Sequence, residues 1–382
     1  MSSYSNKRTY YPHELLMRYA KRLGFGDIHS KIDPQTGLHA IIAVHSTDLG
    51  PAIGGCRYYP YETSGHAVID AMRLAHMMTL KAAISNLPHG GAKSVIIAPK
   101  KSIDRTHLFK RFGEFVHELN GRYITACDVG TSTDDMDIIA TRTPYVIGAA
   151  KTHEHETTPS VHTAKGVFLG MKAAIGHKLQ RDDFDGIRVA VQGAGSVAFY
   201  LCQFLVEAGA IVTVCDPNPD AIHHIQQEVG VNVCEVDSIY DVDCDIFSPC
   251  ALGHTVNLNT INRLSAKIIA GSANNQLAHP RIATVLMDKD ILYAPDFVIN
   301  SGGLINAAIV YDYADPGMAD KKIDQLQSTL SLLFERSAQK NLNTQQIAFE
   351  IALQKLLFAK QENKQPLLET REKFDLWDSC YD

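Results

Sequence analysis

The stretch that most restricts the fold is VAVQGAGSVAFYLCQFLVEAGAIVTVCD, which covers residues 189–216. A strand-like apolar run leads into Gly193 and Gly195, and Ala198 lies in the helical segment that follows. A second apolar run then ends at Asp216. This Gly-x-Gly-x-x-Ala pattern between two apolar runs is typical of the turn from a parallel strand into a helix at a dinucleotide site. The stretch therefore predicts a Rossmann unit in a doubly wound, parallel α/β sheet.

Each position of this motif has a physical role at such a site. Gly193 allows the tight turn, Gly195 removes a side chain where a pyrophosphate approaches, and Ala198 keeps helix and strand close. The helix N-terminus offers unpaired N–H groups and a positive dipole end to the phosphates. Asp216, 23 residues after Gly193, is placed to bind the ribose hydroxyls and to repel a 2′-phosphate. The motif therefore predicts NAD as the cofactor rather than NADP.

Short apolar runs continue this pattern through the second half of the chain. CDIFSPC, AKIIAGSAN and ILYAPDFVIN are near-continuous rather than alternating, as expected for strands of a parallel sheet that is covered on both faces. From about residue 320 to 361 the sequence is helical and amphipathic. We therefore predict a Rossmann domain over residues 149–340, followed by a helical segment, 341–382, that packs back on the first domain.

The first half alternates strand and helix patterns, which predicts an N-terminal α/β domain over residues 1–148. Residues 37–46 and 93–98 have the pattern of strands, and residues 64–84 and 108–120 that of helices. The segment RYITACDVG predicts a strand that runs into a turn. The polar segment AAKTHEHETTPS, residues 149–160, predicts a hinge between the domains rather than a metal site, because nothing nearby completes a ligand set for its histidines.

Composition excludes several classes of protein. The net charge of −6, without a run of Lys and Arg, argues against nucleic acid as a partner. No apolar run approaches the roughly 18 residues of a membrane span, and the N-terminus lacks the apolar core of a signal peptide. The eight cysteines are scattered without a C-x-x-C pair, which predicts reduced thiols in a cytoplasmic protein without a structural metal.

Three charged residues of the first half are candidates for chemistry. Lys81 lies near the end of a predicted helix, Lys93 follows Gly90 and Gly91 at the start of a predicted strand, and Asp128 follows another strand. The two glycines indicate either a sharp bend or a close approach of another group. A dehydrogenase of a small charged substrate needs a cation for its carboxylate and a group that moves protons, and these residues supply both.

Several motifs extend this interpretation from about residue 37 to 310. They are GPAIGGCR, MTLKAAISNLPHGGAK, NGRYITACDVGT, DDMDII, CALGHTVN, IIAGSANNQL and YAPDFVINSGG. Together and in this order they resemble the leucine/phenylalanine/valine dehydrogenase branch of the glutamate dehydrogenase superfamily, and most closely its leucine-specific members. The resemblance implies a homo-oligomer, a dimer or an octamer, in which the first domain binds substrate and mediates assembly.

The resemblance also implies roles for individual residues. Lys81 would bind the α-carboxylate of the substrate, Lys93 would activate water against the imine carbon, and Asp128 would carry protons at the substrate nitrogen. The remaining implied contacts are the backbone at Gly54 and Gly55 with the reacting carbon, Asn274 with the nicotinamide ribose or the substrate, and Thr163 with the nicotinamide carboxamide. The implied reaction is the reversible, NAD-dependent oxidative deamination of an amino acid to a 2-oxo acid and ammonia.

The expected side-chain pocket is apolar. Its predicted lining is Ile53, Ala126, Leu304 and Ala307. An acidic substrate side chain is disfavoured there, because a buried carboxylate without a partner costs several kcal/mol. We favour a leucine, valine or isoleucine type of substrate over the alternative, an aromatic amino acid such as phenylalanine or tryptophan. Cys127 and Lys165 depart from residues common in the family, and they leave open a third alternative, an NAD-binding regulator without catalytic activity.

Overall fold

The computed structural model describes residues 12–25, 27–99, 103–149 and 159–362. The chain forms two compact units. Unit 1 comprises Met1–Leu80 and Pro88–Glu154, and unit 2 comprises Lys81–Leu87 and His155–Asp382. Most of the predicted hinge, including its two histidines, lies outside the described residues, and so does the polar C-terminal tail.

Unit 1 contains a five-stranded mixed sheet with the order β1-β2-β4-β3-β5. Strands β3, β4 and β5 run parallel to one another, whereas β1 and β2 pair antiparallel at one edge. The elements are α1 (Pro12–Leu23), β1 (Asp27–Asp33), β2 (Leu38–Ser46), β3 (Ala52–Tyr59), α2 (Ser64–Ile84), β4 (Gly90–Ile97), α3 (Arg105–Glu118), β5 (Tyr123–Cys127) and α4 (Thr133–Ala140). The helix predicted over 64–84 is confirmed at both ends.

The sheet of unit 1 is covered on both faces, and its central strands alternate between two cores. Along β2, Ala40 and Ile42 pack with the aromatic side chains of α3, whereas Ile41 packs with Met72 of α2. Successive side chains of a strand point to opposite faces, so a nearly continuous apolar strand serves both cores. This burial explains why these strands lack the polar alternation of a solvated sheet.

Gly90 and Gly91 are the first residues of β4 and do not form a sharp bend. Neither residue has a positive φ. A Cβ atom on Gly90 would lie 1.8 Å from the carbonyl oxygen of Ser46, and one on Gly91 would lie 2.0 Å from the backbone nitrogen of Thr79. Of the two predicted reasons for these glycines, the close approach of neighbouring backbone is therefore the one that applies.

Unit 2 contains a six-stranded parallel sheet with the order β11-β10-β9-β6-β7-β8. Its strands are β6 (Arg188–Gln192), β7 (Ile211–Cys215), β8 (Asn232–Val233), β9 (Ile246–Pro249), β10 (Ile268–Ile269) and β11 (Leu292–Tyr293). Its helices are α5 (Pro159–Leu179), α6 (Ser196–Glu207), α7 (Pro219–Val229), α8 (Leu258–Ile261), α9 (Ile282–Asp288), α10 (Asp296–Ile299), α11 (Gly302–Tyr313), α12 (Pro316–Lys340) and α13 (Thr344–Glu362), with a 3₁₀ turn at Asp237–Asp241. In chain order within the unit this is 3-2-1-4-5-6, the doubly wound order of dinucleotide-binding sheets. The predicted α/β fold is confirmed, and none of the described helices has the length and apolarity that a membrane span requires.

One detail of unit 2 corrects the sequence-based prediction. The apolar run ILYAPDFVIN forms only the two residues of β11 as strand, because Pro295 ends the run and Asp296 starts the short helix α10. The described part of the segment 341–382 groups with unit 2, and its return to the first domain stays a prediction. There Phe349 stacks on Phe297 at 5.2 Å, and Thr344 Oγ1 donates to the carbonyl oxygen of Tyr293 at 2.6 Å. The exact domain boundaries stay predictions.

The packing of Gly91 can be tested by substitution. In Gly91→Ala the new methyl group meets backbone of α2 that cannot move independently, so we expect the free energy of unfolding to fall by about 3 kcal/mol. Gly65→Ala is the matched control, since its Cβ would meet only Thr63 Oγ1 at 3.7 Å and alanine favours the helix. Thermal denaturation of the two variants checks this; equal transition midpoints would contradict the packing argument.

Candidate active site

A lysine and an aspartate predicted from the sequence meet in unit 1. Lys93 lies on β4 and is 6% exposed, and Asp128 follows β5 directly. Between these strands runs β3, where Gly55 has no side chain to separate them. A Cβ atom on Gly55 would lie 2.9 Å from Cβ of Asp128. The glycine thus allows Lys93 Nζ to reach Asp128 Oδ2 across β3, at 3.0 Å.

Arg57 is a second cation at the same carboxylate, and the sequence analysis missed it. Its Nε donates to Asp128 Oδ2 at 2.9 Å, and its Nη1 donates to Asp70 Oδ2 at 2.9 Å. Tyr61 Oη also donates to Asp70, at 2.6 Å. Arg57 is the last residue of the motif GPAIGGCR. Its position near the end of β3, which pairs with the end of β5, could have indicated a contact with Asp128. The ion pair therefore belongs to a network that extends to α2.

The network fixes the charge of Asp128. Burial would raise the pKa of this carboxyl group, but the charges and hydrogen bonds of Lys93 and Arg57 outweigh burial and lower it. The turn after β5 holds the backbone, because Asp128 N donates to Thr131 Oγ1 at 2.9 Å. Asp128 is therefore an ionised, oriented carboxylate at neutral pH, half-buried beside a buried lysine.

Gly54 packs closely against a neighbouring strand. A Cβ atom there would lie 1.8 Å from the carbonyl oxygen of Ala92 on β4. The close neighbour of Gly54 in the structure is thus an adjacent strand, and its predicted contact with substrate stays a prediction. Of the predicted pocket residues in unit 1, Ile53 is fully buried on β3 and Ala126 is half-buried on β5.

Lys81, the lysine predicted to bind the substrate carboxylate, belongs to a chain of hydrogen-bonded side chains in unit 2. Its Nζ donates to Asn300 Oδ1 at 2.6 Å. Asn300 Nδ2 donates in turn to Asn274 Oδ1 at 2.8 Å and to the carbonyl oxygen of Ser272 at 3.1 Å. Asn300 was not singled out from the sequence, although it lies in the motif YAPDFVINSGG. It connects two residues for which substrate or ribose contacts were predicted.

The buried carboxylate of Asp296 anchors the loop that carries Asn274. Asp296 accepts hydrogen bonds from the backbone nitrogens of Gln276 and Phe297 at 3.1 and 2.7 Å. Burial raises its pKa, although these hydrogen bonds and the charge of Lys81 act in the opposite direction. Asp296 thereby ties the loop that carries Asn274 to the segment that carries Asn300.

The predicted dinucleotide motif has the geometry that a pyrophosphate requires. Gly193 has a φ of +107°, and its turn joins β6 to α6. Gly195 is the N-cap of α6 and supplies no side-chain cap, so the first N–H groups of this 12-residue helix are not capped by that residue. A Cβ atom on Gly195 would meet nothing within 4 Å, so internal packing does not explain this glycine. Ala198 is buried under the helix, as predicted for close packing on the sheet.

Asp216 lies at the end of β7, beside this turn. Its Oδ2 accepts from Ala194 N and its Oδ1 from Asn218 N, both at 2.8 Å. The carboxylate is therefore fixed next to the glycine turn, where the ribose of a dinucleotide on this motif would lie. The residues present fit NAD, which Gly193, Gly195, Ala198 and Asp216 would hold.

The remaining predicted residues of unit 2 lie on two helices. Thr163, on α5, donates to the carbonyl oxygen of Pro159 at 3.0 Å, and Leu304 and Ala307 are half-buried on α11. Lys165, a departure from the family pattern, binds Asp320 and Asp324 of α12 at 3.1 and 2.9 Å. Lys165 therefore links two helices, which is a structural explanation for the departure; Cys127, the other departure, is exposed.

A parallel sheet with a glycine turn fitted to a dinucleotide, together with a buried lysine paired with an aspartate, is typical of the class of nicotinamide-dependent oxidoreductases. Residues 27–145 match the family model of the Glu/Leu/Phe/Val dehydrogenase dimerisation domain, and residues 218–362 match that of glutamate/leucine/phenylalanine/valine dehydrogenase. The chain belongs to the Glu/Leu/Phe/Val dehydrogenase family. The family predicted from the sequence is thus confirmed.

Individual relatives cover most of the chain. A leucine dehydrogenase from Geobacillus stearothermophilus is 43% identical over 89% of this chain and 93% of its own length. A valine dehydrogenase from Streptomyces coelicolor is 39% identical over 86% and 91%. The crystal structure of L-tryptophan dehydrogenase from Nostoc punctiforme superimposes with a TM-score of 0.80, at 39% identity, over 90% of this chain and 99% of that one. The chain is therefore an NAD-dependent amino acid dehydrogenase, as predicted.

The network around Asp128 predicts a pH-dependent contribution to stability. Asp128→Asn leaves Lys93 and Arg57 without their shared counter-charge, so we expect the free energy of unfolding at pH 7 to fall by roughly 2–4 kcal/mol. Because the native pKa of Asp128 is lowered, this deficit should persist down to about pH 4, where the unfolded carboxyl titrates, and should shrink as the pH falls further. Thermal midpoints measured from pH 7 to pH 3 check it.

The control is Asp134→Asn, an exposed aspartate in the first turn of α4. Its removal should change the midpoint by little at any pH, since an exposed charge contributes about 0.3–1 kcal/mol at a helix end. A deficit in Asp128→Asn that is the same at pH 3 as at pH 7 would contradict the ionised state of Asp128.

Proposed function

We propose that this protein catalyses the reversible oxidative deamination of an apolar L-amino acid of the leucine, valine or isoleucine type. The products are the 2-oxo acid, ammonia and NADH. The observation that carries the proposal is the buried Lys93 in contact with the ionised Asp128, in a chain that also has the dinucleotide motif. An acid–base pair of this kind is what the removal of an amino group requires.

The chemistry of the pair follows from its charges. NAD, when bound, supplies the acceptor for the hydride that leaves the Cα atom of the substrate. Asp128, an anion at neutral pH, can bind the substrate ammonium group and take up a proton from its nitrogen. Lys93 first releases a proton to bulk water, and its neutral amine can then take one from the water molecule that attacks the iminium carbon. Arg57 keeps Asp128 oriented while protons move, because it remains charged throughout.

In this proposal the substrate carboxylate binds to Lys81. The ammonium group of Lys81 already donates to a neutral amide oxygen, that of Asn300, and a carboxylate is a stronger acceptor for it. Asn274 and Thr163 have their predicted roles beside the nicotinamide ribose and carboxamide. Gly54 and Gly55 keep their predicted place near the reacting carbon.

The substrate preference rests on the apolar character of four residues. They are Ile53, Ala126, Leu304 and Ala307, none of which offers a partner to a charged side chain. The likeness to leucine and valine dehydrogenases supports an aliphatic substrate. The likeness to an L-tryptophan dehydrogenase of known structure supports the alternative, an aromatic substrate, because a small residue such as Ala307 leaves room for a ring.

Two further properties belong to the proposal. We expect a homo-oligomer, a dimer or an octamer, which the match of residues 27–145 to a dimerisation domain supports. We also expect a cytoplasmic location. The cysteines of the described residues, all free thiols, are compatible with the reducing conditions of that compartment.

A substrate panel tests the proposed specificity. With NAD, kcat/KM for leucine should exceed that for phenylalanine and tryptophan by about tenfold. The expected preference is no larger because an apolar pocket discriminates one methylene by only ~1–3 kcal/mol. Glutamate should react at least about 100-fold less well, because its side-chain carboxylate would lose its hydration without gaining a partner. NADP should replace NAD poorly, because Asp216 repels the 2′-phosphate. The formation of NADH, followed by its absorbance, measures each rate; tryptophan or phenylalanine ahead of leucine would establish the aromatic alternative.

Replacement of the catalytic lysine tests the reaction itself. Lys93→Ala should lower kcat by at least about 10³-fold, because it removes the base that acts on water, and NAD should still bind with unchanged affinity. Lys110→Ala, on α3 of the same unit, is the control and should keep full activity. Turnover in Lys93→Ala equal to that of Lys110→Ala would refute the mechanism, and NAD binding without turnover in the unmodified protein would favour the regulator.

A further inference from the structure

The last turn of α2 has a donor that comes from a distant part of the sequence. The final carbonyl groups of a helix have no partner in a following turn, and at α2 one of them, the carbonyl oxygen of Ile84, accepts from Lys355 Nζ at 3.1 Å. Lys355 lies on α13, 271 residues later. A cation at a helix C-terminus is also favoured by the helix dipole. Lys355 thus caps the turn that begins with Lys81.

The surroundings of Lys355 oppose its charge. Burial, together with the charges of Lys322 and Arg336, lowers the pKa of Lys355 to about 8. Both neighbours lie on α12 and are cations themselves. At neutral pH the side chain is still mostly charged, so the contact with the end of α2 is an interaction that offsets this unfavourable environment. The contact is made by a half-buried side chain rather than by one free in solvent.

A displacement of this turn would carry Lys81 with it. Ala82, Ala83 and Ile84 are buried, so the turn is packed and moves as one piece. Two side-chain hydrogen bonds are among its contacts: Lys355 donates to its backbone at Ile84, and Lys81 donates to Asn300. One of these contacts fixes the Lys81 side chain directly, and the other lies on the turn that carries it.

We infer that Lys355 is a positioning residue, which holds the last turn of α2 so that Lys81 presents its ammonium group to the substrate carboxylate. This inference rests on the proposed function of Lys81. Lys355 does not touch the substrate in this arrangement; it acts through the backbone at Ile84. Its loss should weaken the binding of the amino acid and leave the chemical step and the dinucleotide site unaffected.

The first test measures steady-state constants with leucine and NAD. Lys355→Met, which keeps the apolar stem, should raise the KM for leucine about five- to tenfold, with kcat and the KM for NAD changed less than twofold. Lys355→Arg, which keeps a charged donor, should recover most of the loss. Lys322→Met removes a neighbouring cation that does not cap α2 and should leave all three constants unchanged. An unchanged KM for leucine in Lys355→Met, or an equal rise in Lys322→Met, would overturn the inference.

The second test asks whether Lys355 acts through Lys81. In a double-variant cycle, Lys355→Met added to Lys81→Met should change kcat/KM for leucine by less than twofold, because the group that Lys355 positions is already absent. A full, additive loss would overturn the inference. Thermal midpoints accompany every variant; if Lys355→Met does not fold, Lys355→Gln, which keeps an N–H donor without the charge, replaces it in the cycle.

The same cycle separates the inference from the proposed function. If Lys81→Met raises the KM for leucine while Lys355→Met does not, only the positioning role is refuted. If Lys81→Met leaves the KM for leucine unchanged, the carboxylate role of Lys81 is refuted, and the positioning role with it.

Discussion

The carboxylate of Asp128 is shared by two cations, Lys93 and Arg57, that come from two neighbouring strands, and the candidate active site depends on this interaction. It requires that the strand between Lys93 and Asp128 carry no side chain at Gly55, where a Cβ atom would collide with the aspartate. The glycines of unit 1 therefore do more than relieve strain. Gly54, Gly90 and Gly91 admit neighbouring backbone, and Gly55 lets charged groups from separate strands approach closely, in surroundings where an unpaired charge would be costly.

The polar side chains of unit 2 also orient one another, through hydrogen bonds. One hydrogen-bonded chain joins Lys81, Asn300 and Asn274. The buried Asp296 holds the loop that carries Asn274, and Lys355 caps the last turn of α2, which carries Lys81. Lys81 and Asn274, which are proposed to touch ligands, thus each have a hydrogen bond to Asn300 that fixes their direction. Such preorganisation is what a reaction needs when groups must be placed to within a fraction of an ångström.

Features set by a local sequence pattern were predicted more accurately than contacts between residues that are far apart in the chain. The helix over 64–84 was predicted to the residue, because its apolar spacing is a local property. The run DFVIN was assigned to a strand because it is apolar, yet it is helical, since Pro295 and the buried carboxylate of Asp296 redirect the backbone. Arg57, Asn300 and Lys355 were missed because each acts on a residue far away in the chain.

The sequence by itself determined the Rossmann turn, the NAD cofactor and the family, since these depend on motifs within which the interacting residues lie close together. Only the tertiary structure decided which charges share a partner. Lys93 and Asp128 are 35 positions apart, and Lys355 and Ile84 are 271 apart; no local pattern relates them. The physical reason is that strand order and helix packing, rather than sequence spacing, set the distances over which charges and hydrogen bonds act.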